Sequence, residues 1–318
     1  MKFEILQPRH SFIVILLFIF CLSDGFAQDD QKPPAFCLGI GLTPSLSQIN
    51  SHDIKSGSNP GYLNKFSLSG SLDIGYFFTK NIGLISGLNY SSYNTHLNLV
   101  SYNSQLIAVD QENENYEMRV TGNNIEENQH IGVLGIPICL YLRIPLRKQV
   151  GIYVQTGINL AIPMDNNYES SGTFTYSGFF PAYNVLLKDL PEYGFPSNVT
   201  TTVKGDLKLK PILYFVMASA GFEYIINNRF HFSAGACFNL SPENISEYIQ
   251  PDNFQLTKGA NQLNSLMEGS SKVILQSLGI NFGIRYFLTG FEKNKYPYKN
   301  KPKNYLKEYQ RGKKVNLE

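Results

Sequence analysis

The chain has no tryptophan, charged residues make up only 16% of it, and past its first thirty positions it has no long apolar run. A membrane-spanning helix needs ~20 consecutive apolar residues, so the stretch after the N-terminal segment excludes a helical membrane protein. Cysteines are few: only Cys37, Cys139 and Cys237 lie beyond that segment. An odd number without scaffold-like spacing allows at most one bridge. Neither a Cys-x-x-Cys pair nor a Cys/His ligand cluster is present, so a structural zinc has no ligands and no cofactor is expected. The net charge of +2 is too small to imply a nucleic-acid partner.

What is abundant points one way. Twenty Tyr, 22 Phe and 26 Gly in a chain poor in charge describe an exported β protein. The N-terminus agrees: Lys2 and Arg9, an apolar run from Phe12 to Leu22, and Gly25-Phe26-Ala27 before Gln28 resemble a cleavable secretory signal. The run is too short for a permanent anchor, and bulky Phe20 before Cys21 disfavours a lipoprotein site. The expected organisation is a signal peptide at 1–27, a short linker at 28–34, a β domain at 35–288 and a basic tail at 289–318.

Strand signals dominate the β domain. Between Phe66 and Phe78 the residues alternate, with Phe66, Leu68, Leu72, Ile74, Tyr76 and Phe78 on one face and Ser67, Ser69, Ser71 and Asp73 on the other. Lys80-Asn81 makes a tight hairpin, and Ile82 to Tyr90 returns. A second hairpin runs from about His130 to Leu160 through Arg147-Lys148-Gln149, and a third from Lys210 to Leu240 through Asn227-Asn228-Arg229. Phe36 to Ser45 and Lys272 to Leu288 remain unpaired at the two ends. Pairing them closes a sheet of eight strands and removes its edges.

Four longer polar segments, roughly 47–65, 98–127, 164–207 and 242–271, join the hairpins at the other end. Short turns at one end and long loops at the other are the pattern of an outer-membrane β-barrel, with turns periplasmic and loops extracellular. The fold class expected is therefore all-β: an eight-stranded antiparallel up-and-down transmembrane barrel in the outer membrane, with both termini periplasmic. The faces fit this reading. Phe230, Phe232, Ala234, Ala236, Phe238 and Leu240 share one face of their strand, and small or polar His231, Ser233, Gly235, Cys237 and Asn239 share the other, which suits a narrow lumen.

Parity puts Asp73, Arg143, Glu223 and Arg285 on the polar, inward faces, all near the short-turn end. A lumenal charge network is expected there, read as a neutralising plug in preference to a gate or proton path. His231 is expected as a hydrogen-bonded lumen residue. His96 and His130 fall near the long-loop rim facing lipid, with Ser92 and Glu126 or Glu127 close by. A Ser/His pair there is the enzymatic alternative, a lipid A hydrolase or acyltransferase; ordinary rim residues are the simpler reading. An eight-stranded barrel is just wide enough for side chains to fill, which argues against a porin.

The segments at 65–93, 130–146 and 278–288 resemble the PorT-like outer-membrane barrels of Bacteroidetes, and the resemblance spans about residues 35 to 288. Gly87-Leu-Asn-Tyr-Ser91 and Ile136-Pro-Ile-Cys-Leu140 match recurring strands of that family. Gly279 to Phe287 resembles the aromatic-ended strand read by the barrel-insertion machinery. The resemblance implies an outer-membrane barrel in contact with lipid and lipopolysaccharide, and one named branch assists type IX secretion, so periplasmic or secretion components are candidate partners. The tail from Thr289 to Glu318 carries nine Lys or Arg against three acids and suits an acidic periplasmic partner or a plain solvated end. The expected function is non-enzymatic: a scaffold, secretion accessory or surface-binding protein acting through loops and tail.

Overall fold

The computed structural model describes residues 35–288, apart from 53, 55–59, 111, 228, 249–253, 258, 260 and 261. The signal peptide, linker and basic tail expected from the sequence lie outside the described residues.

Ten antiparallel strands make one sheet: β1 (Ala35–His52), β2 (Gly61–Phe77), β3 (Ile82–Val109), β4 (Asn115–Pro145), β5 (Val150–Phe180), β6 (Val185–Lys188), β7 (Val199–Asp206), β8 (Leu213–Ile225), β9 (Phe230–Leu240) and β10 (Lys272–Phe287). Eight of them form a ring in the order β4, β3, β2, β1, β10, β9, β8, β5, and pairing of β4 with β5 closes it. The first and last strands meet as parity requires, from Cys37 opposite Phe287 to His52 opposite Lys272. The protein is an eight-stranded antiparallel β-barrel.

The short turns are built from local polar chemistry. Thr79 Oγ1 accepts the backbone N–H groups of Asn81 (3.2 Å) and Ile82 (3.0 Å). Asn227 Oδ1 does the same for Arg229 and Phe230, both at 2.9 Å. Such side-chain bonds replace ladder partners where the strand reverses. Further along, Gly221 and Gly235 face each other across β8 and β9, and a Cβ at Gly221 would lie 2.2 Å from Ala234 O. Only glycine allows that approach.

The ring wears its apolar residues outside. Leu72, Phe222 and Leu278 are each more than 60% exposed, while Ser67, Ser91 and Ser233 on the inner faces are buried. A soluble barrel has the opposite polarity; this belt is suited to hydrocarbon.

Beyond the belt the strands continue where the sequence suggested polar loops. Segment 98–127 is the distal half of the β3–β4 hairpin, which turns only at 110–114, and 164–207 carries the end of β5 together with β6 and β7, both paired to β5. The physical reason is an inversion of polarity. From about residue 92 of β3 the outward positions become Ser92, Asn94, His96 and Asn98, and the inward ones Tyr93, Leu97 and Leu99, all buried. Water replaces lipid outside, so the apolar side turns inward. Strand alternation persists with its sense reversed.

Candidate functional site

The interior is layered. At the short-turn end Phe77, Tyr141 and Phe287 form an aromatic seal, with ring centroids 5.2 Å apart for Phe77–Phe287 and 5.6 Å for Phe77–Tyr141. His231 meets Phe287 in a tilted contact, with ring centroids 4.4 Å apart. Edge and tilted contacts of this kind favour the aromatic quadrupoles and fill the mouth.

The charges sit at the same level. Arg143 Nε lies 2.5 Å from Glu223 Oε2, and both residues are almost fully buried. Glu223 Oε1 accepts from Tyr141 Oη and lies near His231 Nδ1, both at 3.2 Å. The Arg285 guanidinium lies over the Tyr141 ring, 4.4 Å from its centroid, and its Nη2 reaches Gln155 Oε1 at 3.5 Å. Asp73 flanks Arg285 across Gly39: a Cβ at Gly39 would lie 3.2 Å from Arg285 Cγ and 3.3 Å from Asp73 Cβ. Strands β2, β4, β8 and β10 thus bring two acids and two bases to one level, with His231 joined to them. Buried charge is tolerated when a counter-charge lies this close.

Past this layer lies a polar chamber of about 90 Å³, lined by Ser71, Asp73, Asn89, Gln155, Asn281 and Arg285 among others. It has room for a few waters. An apolar stopper closes its far side, built from Tyr93, Ile131, Phe215, Met267 and Leu275, with Tyr93 and Phe215 stacked at 5.8 Å. Packed side chains thus flank the chamber on both sides among the described residues.

The stopper and the wall above it are held by the long connection between β9 and β10, which folds inward. Ser265 caps a short 3₁₀ turn, Leu266–Gly269, by accepting from Met267 N. Its hydroxyl also donates to Glu127 Oε1 (2.7 Å), Leu266 N donates to Glu127 Oε2 (2.8 Å), and Gln129 Nε2 adds a third bond at 2.6 Å. Tyr168 donates to Leu263 O (3.1 Å), Tyr102 Oη accepts from Leu256 N (3.0 Å), and Tyr176 meets Thr257 at 2.9 Å. Leu256, Leu263 and Leu266 pack against Leu99, Val120, Ile125 and Phe174. These anchors were missed in the sequence, although inward apolar residues at alternate positions of 97–125 carried the signal.

Glu127 is fully buried, beyond the apolar belt, and burial raises its pKa against the opposing effect of hydrogen bonds from Gln129, Leu266, Ser265 and Ser170. A carboxyl whose folded pKa is raised contributes stability that is fully present below the unfolded value and is lost as pH rises through the folded value. Limited proteolysis of the 241–271 connection should therefore accelerate as pH rises above the ordinary carboxylate range. Glu127→Gln should flatten that dependence while keeping the connection docked. A pH-independent wild type would show that Glu127 is not held as described.

The rim histidines are outward-facing and half-exposed. His130 places Nδ1 2.7 Å from Asn94 Oδ1 and Nε2 3.5 Å from Asp165 Oδ2, and His96 Nδ1 is 2.9 Å from Asn128 Oδ1. Both ring nitrogens of His130 are thus engaged by groups other than Ser92, which faces the same side on β3. Glu126 points outward, whereas Glu127 turns inward to the connection.

The profile of the outer membrane protein beta-barrel domain family matches residues 26–244. Among solved structures, the chain is similar to Ail, the attachment invasion locus protein of Yersinia pestis, at 10% identity and a TM-score of 0.28, covering 79% of this chain and 98% of that one. It is also similar to the outer membrane protein OprG from Pseudomonas aeruginosa, at 13% identity and a TM-score of 0.34, covering 81% and 99%. No curated protein matches the chain.

Proposed function

The chain belongs to the outer membrane protein beta-barrel domain family, and from that premise we propose that it works as a surface-binding protein, with a closed lumen and an extracellular β-blade that meets its partners. The supporting observation is the extension of β3, β4 and β5 past the apolar belt. A bilayer crossing takes ~9–11 residues of a tilted strand, whereas these strands have 28, 31 and 31. Roughly half of each is free to project, braced from inside by the docked connection.

The short turns are assigned to the periplasm and the blade to the outside. Eight ring strands return the chain to the end at which it began, so both termini are periplasmic on this reading. Within the family we place the chain beside the PorT-like barrels, on the strands Gly87–Ser91 and Ile136–Leu140. The protein is read as non-enzymatic, because the ring contacts of His96 and His130 go to Asn128, Asn94 and Asp165 and none goes to Ser92.

Part of the outer face of the blade is polar. Asn123, Thr173 and Thr200 lie in one row across β4, β5 and β7, and Glu126, Ser171 and Thr202 in the next. Long elements on a rigid scaffold commonly carry recognition. Purified barrel in lipid nanodiscs, probed against arrays of proteins and glycans, is expected to bind, and the same barrel with 99–125 excised should lose that binding. Heat-modifiable migration on gels would confirm that the shortened barrel is folded. Equal binding by the two forms, or no binding by the full chain, would overturn the proposal.

A further inference from the structure

Among the described residues the blade has one unguarded edge. Pairing between β2 and β3 ends at Gly61 opposite Asn98, while β3 runs on to Val109 with β4 on its other side only. Along Asn103–Val109 the outward backbone N–H and C=O groups have no strand partner among the described residues. Exposed strand edges are usually protected by charge, proline, bulges or brevity. The other edges of this blade follow that rule: β6 has four residues and ends in Lys188, and β7 carries Lys204 and Asp206. From Leu97 to Val109, β3 has no charged residue, no proline and no glycine. Ile107 is 78% exposed and Val109 56%. Such a strand is a template for adding another.

The surroundings specify what it adds. The turn beyond Val109 carries Asp110, Glu112 and Glu114, with Glu117 three residues further on in β4. Asp110 Oδ1 folds the turn by accepting from the backbone N–H groups of Glu112 and Glu114, both at 2.9 Å. Arg119 is the nearby base, and it is bound to Glu117 at 2.8 Å. The distal end of the free edge is therefore acidic. A second copy in the same membrane, its β3 running parallel to this one, would bring an identical acidic turn against it and matches it poorly.

We propose that Asn103–Val109 of β3 is a β-augmentation site for an extended polypeptide segment, with alternating apolar residues along the edge and basic residues beside the 110–117 acids. The site rests on the reading of the blade as the working surface. Main-chain hydrogen bonds supply affinity, Ile107 and Val109 supply apolar contact, and the acidic turn sets direction.

The test uses the full-length barrel in nanodiscs and a capped peptide of alternating threonine and valine ending in two lysines. Binding is read by fluorescence polarisation, and protection by hydrogen–deuterium exchange. The peptide should bind and slow exchange within 103–109. The same peptide N-methylated along one edge should fail to bind, and Ile107→Lys should weaken binding about tenfold or more. Ile107 is exposed, so that substitution leaves the packed interior untouched. The site is overturned by equal binding of the methylated peptide, by indifference to Ile107→Lys, by protection elsewhere, or by blade-dependent dimerisation that the peptide does not compete with. If these controls fail while excision of 99–125 still abolishes array binding, the edge site falls and the surface reading stands. If excision changes nothing, the surface reading itself falls.

Discussion

Replacing Glu223 with Leu is expected to lower barrel stability by about 3–5 kcal/mol, the usual cost of leaving one member of a buried ion pair alone. Arg143 would keep its charge at a site where it is 2% exposed, with its partner at 2.5 Å removed. Tyr141 Oη would lose its acceptor, and His231 Nδ1 its neighbour at 3.2 Å. The double replacement Arg143→Leu with Glu223→Leu should recover most of the loss, because removing both partners removes both desolvation costs. Urea unfolding in lipid vesicles, followed by heat-modifiable migration on gels, reads both values. A single substitution costing less than about 1 kcal/mol, the range of exposed pairs, would show that the pair is solvated.

Parity and barrel closure supply different parts of this charged layer. Asp73, Arg143, Glu223 and Arg285 lie on four different strands, far apart in the chain, and side-chain period alone put them on inward faces. The short turns put them at one end. What parity could not supply was the partner geometry: that Glu223 serves Arg143, Tyr141 and His231 together, and that Gly39 makes room between Asp73 and Arg285. Those contacts depend on which strands face each other across the lumen, a property of closure.

The polar segments disguise their strands. Asn, Ser and Thr at outward positions of 98–127 and 164–207 look like loop composition when an apolar exterior is the expected signature of a strand. Above the belt the exterior faces water, so the useful signal was the inward series Leu97, Leu99, Val120 and Ile125, and Phe174 with Tyr176. The residues covering that series come from 254–267, whose own composition has no strand or helix period. Its fold is set by Glu127 and three tyrosines on other strands, so no local pattern announces it. Asn103–Val109 falls inside a segment whose composition reads as a polar loop, and the end of pairing at Asn98 is what shows it as an edge without a strand partner among the described residues.

The proposed function requires that the protein work from its outer surface and not through its lumen. Three layers support it: the Phe77, Tyr141 and Phe287 seal with the adjoining ion pairs, the chamber of about 90 Å³, and the Tyr93–Phe215 stopper under the docked connection. Moving an ion through would require separating Arg143 from Glu223 and unstacking two aromatic layers. Planar-bilayer recording of the purified, folded chain tests this most directly. A flat current at all applied voltages is the predicted result, and reproducible unitary steps of uniform amplitude would contradict it.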